Sequence, residues 1–344
     1  MLKTGLVMES EISEIPSVFQ NLSTNQAIFT EVADLIKSKE INFVLILARG
    51  TSDNAAHFLK YLVETQLGLP VGLTSPSIVT VYGSKLNLKN TLVIAISQSG
   101  QSTDLVTYAT AAKNFGALLV AMTNVDGSPL AKLSDMHISL MAGQELAVAA
   151  TKSYAAELLA SHLLVGAWIG AEINTQLLIE QGQDLVNNKE LVTGALSVMD
   201  IKQEIVVLGR GFSYANARET ALKIQETSKI SVQGLSIADY RHGPIAALTS
   251  DTTVIICTPN GFPMAAIKSD LDQVRQRKSS LIWLGSSELA EGKDEVILGS
   301  ECGSEILSNI ADAIALQRLA LEFARKNNTD PDSPAGLSKV TLTV

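Results

Sequence analysis

The chain has 344 residues, 46% of them hydrophobic and 18% charged, with a formal net charge of -9. That length exceeds what one compact core usually takes, so two domains are expected, and the apolar share excludes a disordered chain. Negative net charge, with no run of lysine and arginine among aromatics, argues against nucleic acid as a partner.

The opening stretch MLKTGLVMESEISEIP has no apolar core of signal-peptide length, because Glu9, Glu11 and Glu14 interrupt it. Residues 1–36 are read as a helical segment and the chain as cytoplasmic. Short β-rich runs then alternate with helical ones. FVLILARG (43–50) reads as a strand ending in a glycine turn, and DNAAHFLKYLVETQLG follows with helical spacing. TLVIAISQSG (91–100) leads through STDLVTYATAAKNFG into a helix, and ALLVAMTN (117–124) and MHISLMAG (136–143) read as further strands. LLASHLLVGAWIGA, between Glu157 and Glu172, is too short to cross a bilayer and reads as a buried helix, so no membrane partner is expected. Continuous apolar strands separated by helices predict an α/β fold of doubly wound parallel sheets, covered on both faces in three αβα layers.

The pattern then returns. VLILARGTSDNAA (44–56) aligns with IVVLGRGFSYANA (205–217), placing Arg49 over Arg210, Gly50 over Gly211 and Ser52 over Ser213, each 161 positions apart. TLVIAIS (91–97) falls on TTVIICT (252–258) at the same offset, so the chain is read as a duplicated unit. The domains are expected at 37–180 and 195–325, with the join in the polar stretch 180–194 and an irregular tail over 326–344. Cys257 and Cys302 lie far apart with no CxxC spacing, so neither a zinc site nor a disulfide framework is expected.

In doubly wound sheets, ligands gather beyond the carboxyl ends of the strands, where loops turn into helices and expose unpaired N–H groups. RGTS (49–52) and SQSGQS (97–102) are expected there. Helix dipoles and free amides favour an anion, and Thr51, Ser52, Ser97, Ser99 and Ser102 add hydroxyl donors without charge. Ordinary helix caps use the same residue types. Two such loops in one half of the chain favour a phosphate monoester. The second half carries TPNG (258–261) where the first has SQSG, and is expected to have lost the cradle.

ARGTSDNAA, ISQSGQSTD and AGQELAVAATKSY resemble the first sugar isomerase (SIS) domain of the glutamine–fructose-6-phosphate aminotransferases. GRGFSYANARETALKIQETS, ADYRHGPIA and GLSKVTLTV resemble the second. The likeness is collinear and covers nearly the whole chain. It implies two tandem SIS domains acting on an amino-sugar phosphate without metal or organic cofactor. By motif, it assigns Thr51, Ser52, Ser97, Gln98, Ser99, Ser102, Val148 and Ala150 to substrate binding, and Lys223, Glu226, His242 and Lys339 to catalysis. It further implies a homodimer in which His242 reaches the neighbouring subunit's site, and a Lys339 able to form a Schiff base with an open ketose.

Taken without the resemblance, these residues leave alternatives. Glu226 can carry a proton between C1 and C2 of an opened sugar, and Lys223, three positions earlier on the same helix, can hold an oxyanion. The two can equally form a solvent-exposed i,i+3 pair. His242 sits in a turn set by Gly243 and Pro244, where an imidazole suits proton transfer during ring opening or is simply a surface group. Lys339 is either a nucleophilic amine or an ordinary exposed tail residue.

The departures carry weight too. The aminotransferases have a glutaminase domain that opens on a nucleophilic cysteine; this chain opens on Met1, and neither cysteine is placed for that task. Free ammonia is then consumed or released, and mass action at low ammonia favours release, which points to a glucosamine-6-phosphate deaminase. Ala150 stands where the family pattern has serine, and Ser102 where it has threonine. The alternative functions are an ammonia-dependent synthase, a fructosamine-6-phosphate deglycase and a non-catalytic sugar-phosphate sensor.

Overall fold

A computed structural model of the chain describes residues 4–339. Its first sheet contains β1 (Phe43–Leu47), β2 (Val71–Leu73), β3 (Thr91–Ser97), β4 (Leu118–Thr123) and β5 (Met136–Ser139), in the order β2-β1-β3-β4-β5. The second contains β6 (Glu204–Gly209), β7 (Val232–Ser236), β8 (Thr252–Thr258), β9 (Ser280–Gly285) and β10 (Glu295–Leu298), in the matching order β7-β6-β8-β9-β10. Every pairing in both sheets is parallel. Phe43 and Glu204, Val71 and Val232, and Thr91 and Thr252 open equivalent strands 161 positions apart, so the duplication holds in three dimensions. The offset slips only in the last two strands of each sheet.

Helices cover both faces because the central strands have no polar face. All seven residues of β3 are buried, as are all seven of β8. Val93 and Ala95 pack against Leu105, Tyr108, Ala109 and Ala112 of the helix Thr103–Asn114. Leu92, Ile94 and Ile96 alternate to the opposite face and are equally buried. In the second sheet, Val254 and Ile256 meet Leu271 and Val274 of the helix Lys268–Arg275. Each such side chain contributes about 1.5–3 kcal/mol on full burial. The helix Ser213–Ser228 approaches β7 so closely that a Cβ on Gly234 would lie 2.7 Å from the Arg218 Cα, which only glycine accommodates.

Two strands end earlier than their apolar runs suggest. β1 stops at Leu47, ahead of Gly50 with φ 57°, and β5 stops at Ser139, ahead of Met141 with φ 51°. The expected buried helix is present as Lys152–Ile169.

The chain packs as two compact units assembled from separated segments. One holds the first sheet and comprises Val18–Glu145, Ala156–Asn174 and the tail from Ser338. The other holds the second sheet and comprises the N-terminal residues through Ser17, Leu146–Ala155 and Thr175–Leu337. In that second unit the carboxylates that interrupt the N-terminal apolar run each have a partner. Glu9 lies 2.9 Å from Arg325, Glu11 accepts from the Leu146 and Ala147 amides, and Glu14 lies 2.6 Å from the buried Lys152.

Candidate active site

The strand order of the first sheet changes direction between β1 and β3, which pair through Leu47 and Ala95. The loops leaving these two strands therefore emerge side by side at the topological switch point, the usual ligand position in such sheets. Residues 49–52 enter the helix Thr51–Gln66, and residues 97–102 enter the helix Thr103–Asn114. Gly50 is the N-cap of the first helix, and a Cβ placed on it would meet nothing within 4 Å.

Ser102 is the N-cap of the second helix, yet its hydroxyl makes no bond to the helix N–H groups. Ordinary capping therefore does not account for it. Ser97 Oγ accepts from the Gly100 amide at 3.1 Å, and Ser99 Oγ accepts from Gln101 at 3.3 Å. A hydroxyl that accepts still has its own proton to donate. Ser52 differs from these. Its Oγ donates to Glu157 Oε1 at 2.7 Å, with both residues buried, so its one proton is already committed. Thr51 is half-buried beside it, and Gln98 is half-buried in the other loop.

A charge pair missed in the sequence joins these loops. Arg49 Nε lies 3.0 Å from Asp104 Oδ2; the carboxylate is buried in the first turn of the helix, and the guanidinium is half-exposed. The pairing recurs in the second sheet, where Arg210 lies 3.5 Å and Arg241 2.5 Å from Asp270. Alignment of Arg49 with Arg210 was the signal available. At the second switch point a Cβ on Gly211 would be in ordinary contact, 3.7 Å from Phe262 and 3.8 Å from Glu305 Oε1, whereas one on Gly50 meets nothing. Burial also raises the Glu305 pKa.

In the second unit, the helix Ser213–Ser228 carries Lys223 and Glu226. Lys223 Nζ lies 2.5 Å from Glu226 Oε2 and 3.4 Å from Glu219 Oε1. The Lys223 and Glu219 side chains are fully buried, whereas Glu226 is 22% exposed. This rules out the solvent-exposed i,i+3 pair. Lys223 has no route to water, and Glu226 keeps one.

His242 is exposed in the turn after the short helix Ile237–Tyr240, held by a 3.0 Å bond from its amide to Asp239 O. Val148 and Ala150 are half-buried, and the Val148 amide bonds Asp332 O at 3.3 Å. In the first unit, Lys339 Nζ lies 2.8 Å from Glu145 Oε2, whose side chain is fully buried. Lys339 is therefore not an ordinary exposed tail lysine. Residues 340–344 of the GLSKVTLTV stretch lie outside the described residues.

The candidates thus divide between the units. Thr51, Ser52, Ser97, Gln98, Ser99, Ser102 and Lys339 belong to the first sheet's unit, and Val148, Ala150, Lys223, Glu226 and His242 to the second's. A family model, described as the SIS domain, matches the chain twice, at residues 35–167 and 199–324. The chain belongs to the SIS domain family.

This SIS protein is 32% identical over 343 residues to glutamine–fructose-6-phosphate aminotransferase (isomerizing) of Aquifex aeolicus. The match covers 98% of this chain and 57% of the relative, so the SIS protein spans little more than half the length of that protein. Among solved structures it is similar to a chain assigned to the phosphosugar isomerases, from Silicibacter pomeroyi DSS-3. The identity is 29% and the TM-score 0.83, with 95% of this chain and 99% of that one covered. It is also similar to the C-terminal domain of glucosamine-fructose-6-phosphate aminotransferase from Francisella tularensis. There the identity is 25% and the TM-score 0.79, with 95% and 98% covered.

Both cysteines of the SIS protein are buried, unpaired thiols, and burial pushes Cys257 up to about 12 and Cys302 up to about 11. A thiol so disposed is not a nucleophile at neutral pH. Among the described residues, no group of three or more histidine, cysteine, aspartate or glutamate side chains is placed to hold a metal. No described helix is long and apolar enough to cross a membrane.

Proposed function

We propose that the chain is a sugar-phosphate isomerase that deaminates glucosamine 6-phosphate to fructose 6-phosphate and ammonia. The observation that carries this reading is the Lys223–Glu226 pair: a fully buried cation fixes a carboxylate that remains accessible. One such carboxylate can take a proton from one carbon and return it to its neighbour. Two further observations support it, the uncommitted hydroxyls at the first switch point and the SIS family membership.

In the proposed cycle the phosphate is held by Ser97, Gln98, Ser99 and Ser102, with Thr51 at its side. Neutral donors and the helix N–H groups hold it without a dedicated cation. Ring opening exposes the C1 aldehyde, and His242 serves this step for the neighbouring subunit of a homodimer. Glu226 removes the C2 proton while the C1 oxygen is protonated, giving an enolamine. Return of the proton to C1, with loss of one from nitrogen, gives fructosimine 6-phosphate. Water adds at C2, the C–N bond breaks, and ammonia leaves with fructose 6-phosphate. Lys223 holds Glu226 throughout.

The test is ammonia release from glucosamine 6-phosphate by wild type and by Glu226→Gln. Turnover is expected to disappear in the variant with affinity for the phosphate ester largely kept. Full activity in Glu226→Gln would remove Glu226 from the reaction. Supplying fructose 6-phosphate with ammonia separates the deaminase from a synthase, and a substrate carrying an amino acid on nitrogen separates it from a deglycase.

A further inference from the structure

The loop read as the phosphate cradle rests on a buried polar network that the proposed reaction does not use. Gly100 has φ 61°, and a Cβ on it would lie 2.3 Å from Ser128 Oγ and 3.1 Å from Thr123 Cγ2. The loop is therefore seated directly on these two side chains, both almost wholly buried. Main-chain bonds tie it to the same elements: Leu130 N to Gly100 O, and Asn124 N to Gln98 O, each at 3.1 Å.

Behind the seat lies His137 on β5. Thr123 Oγ1 is 3.1 Å from Val125 O, 3.4 Å from Ser128 Oγ and 2.8 Å from His137 Nε2. A carbonyl only accepts, so the single Thr123 proton goes to Val125 O. The short contact with the ring then runs from His137 Nε2–H to Thr123 Oγ1. Ser128 Oγ in turn accepts from the Ala131 amide at 3.3 Å, capping the next helix. Each group is fixed by the one behind it, and the chain of bonds ends under Gly100, between Ser97 and Ser102.

We propose that Thr123, held by the His137 ring N–H, is a positioning residue that sets the 97–102 loop for phosphate. The inference rests on the phosphate reading of that loop. It explains why a threonine and a histidine on the last two strands of the first sheet are joined beneath a ligand loop. It also defines what is required at residue 137: a donor at the Nε2 position, which glutamine can supply and leucine cannot.

The experiment measures binding of fructose 6-phosphate by calorimetry, with unphosphorylated fructose as control, together with KM and kcat. The proteins are wild type, Thr123→Val, His137→Leu and His137→Gln, each checked for cooperative unfolding. Thr123→Val and His137→Leu are expected to weaken fructose 6-phosphate binding and raise KM about tenfold, the order expected for misplaced charge-assisted bonds, with kcat little changed. His137→Gln is expected to restore both. Half-buried His137 provides the test if Thr123→Val does not fold. Wild-type affinity in His137→Leu, or equal losses in His137→Leu and His137→Gln, would overturn the positioning role alone. Absence of fructose 6-phosphate binding in the wild type would overturn the phosphate reading and this inference with it.

Discussion

Lys223 Nζ lies 2.5 Å from Glu226 and 3.4 Å from Glu219, so one fully buried cation serves two carboxylates on a single helix. The two partners are not equivalent. Glu219 has no exposed surface, whereas Glu226 keeps 22% of its side chain in solvent. Removing the cation takes the ion-pair partner from a fully buried carboxylate; neutralising Glu226 does not.

Lys223→Met is accordingly expected to cost about 3–5 kcal/mol, the range for breaking a buried pair from one side. Glu226→Gln should cost no more than about 1 kcal/mol while abolishing turnover. Urea unfolding midpoints separate the two variants. Equal midpoints would show that Glu219 does not depend on Lys223.

The Lys339–Glu145 pair makes a distinct prediction. An amine 2.8 Å from a buried carboxylate must leave that partner before it can attack a ketose carbonyl. Borohydride treatment with fructose 6-phosphate is expected to label wild-type Lys339 only weakly. Glu145→Gln should increase the label at that residue, as read by peptide mass spectrometry. Undiminished labelling of the wild type relative to Glu145→Gln would mean that the pair imposes no barrier.

Two buried groups give opposite pH dependences. Burial pushes Asp312 up from 3.8 to about 7, although its Oδ1 accepts from the Ser300 amide and hydroxyl. Between those values the folded state holds a proton that the unfolded state has lost, so this group lowers stability as pH rises from about 4 to about 7. Burial pushes His162 down from 6.5 to about 4, so the unfolded state takes up its proton first and stability falls as pH drops through that window. Asp312→Asn should flatten the first slope and His162→Leu the second, as measured by thermal unfolding across pH 4–7. An unchanged slope in either variant would count against that group.

Arg49 pairs with a carboxylate beside the loop proposed to hold phosphate. Asp104 is buried in the first turn of the helix that starts just past Ser102, and Arg49 Nε is 3.0 Å from it. Arg49→Met is expected to weaken fructose 6-phosphate binding about tenfold, since charge repulsion at a helix N-terminus opposes the anion. Adding Asp104→Asn should recover most of that loss. A double variant as weak as the single would show that the effect is not electrostatic.

The strands β1, β3, β4, β5, β6 and β8 and the duplication were legible in the sequence because apolar runs and their repetition mark them, whereas β2, β7, β9 and β10 were not read. Apolar runs, glycine turns and the 161-residue offset need no knowledge of what lies across the fold, and the strands that they mark pair as expected. The approximate place of the serine loop followed from the same pattern. What the tertiary structure alone decided is which polar atoms share a buried environment. Ser52 gives its proton to Glu157, 105 positions away, and Lys339 meets Glu145 across 194 positions. A lysine that reads as a surface partner of Glu226 is sealed from water. Periodicity records which face of an element is apolar. Where two distant charges meet, and how much solvent remains between them, depends on how the crossovers bring separated segments together.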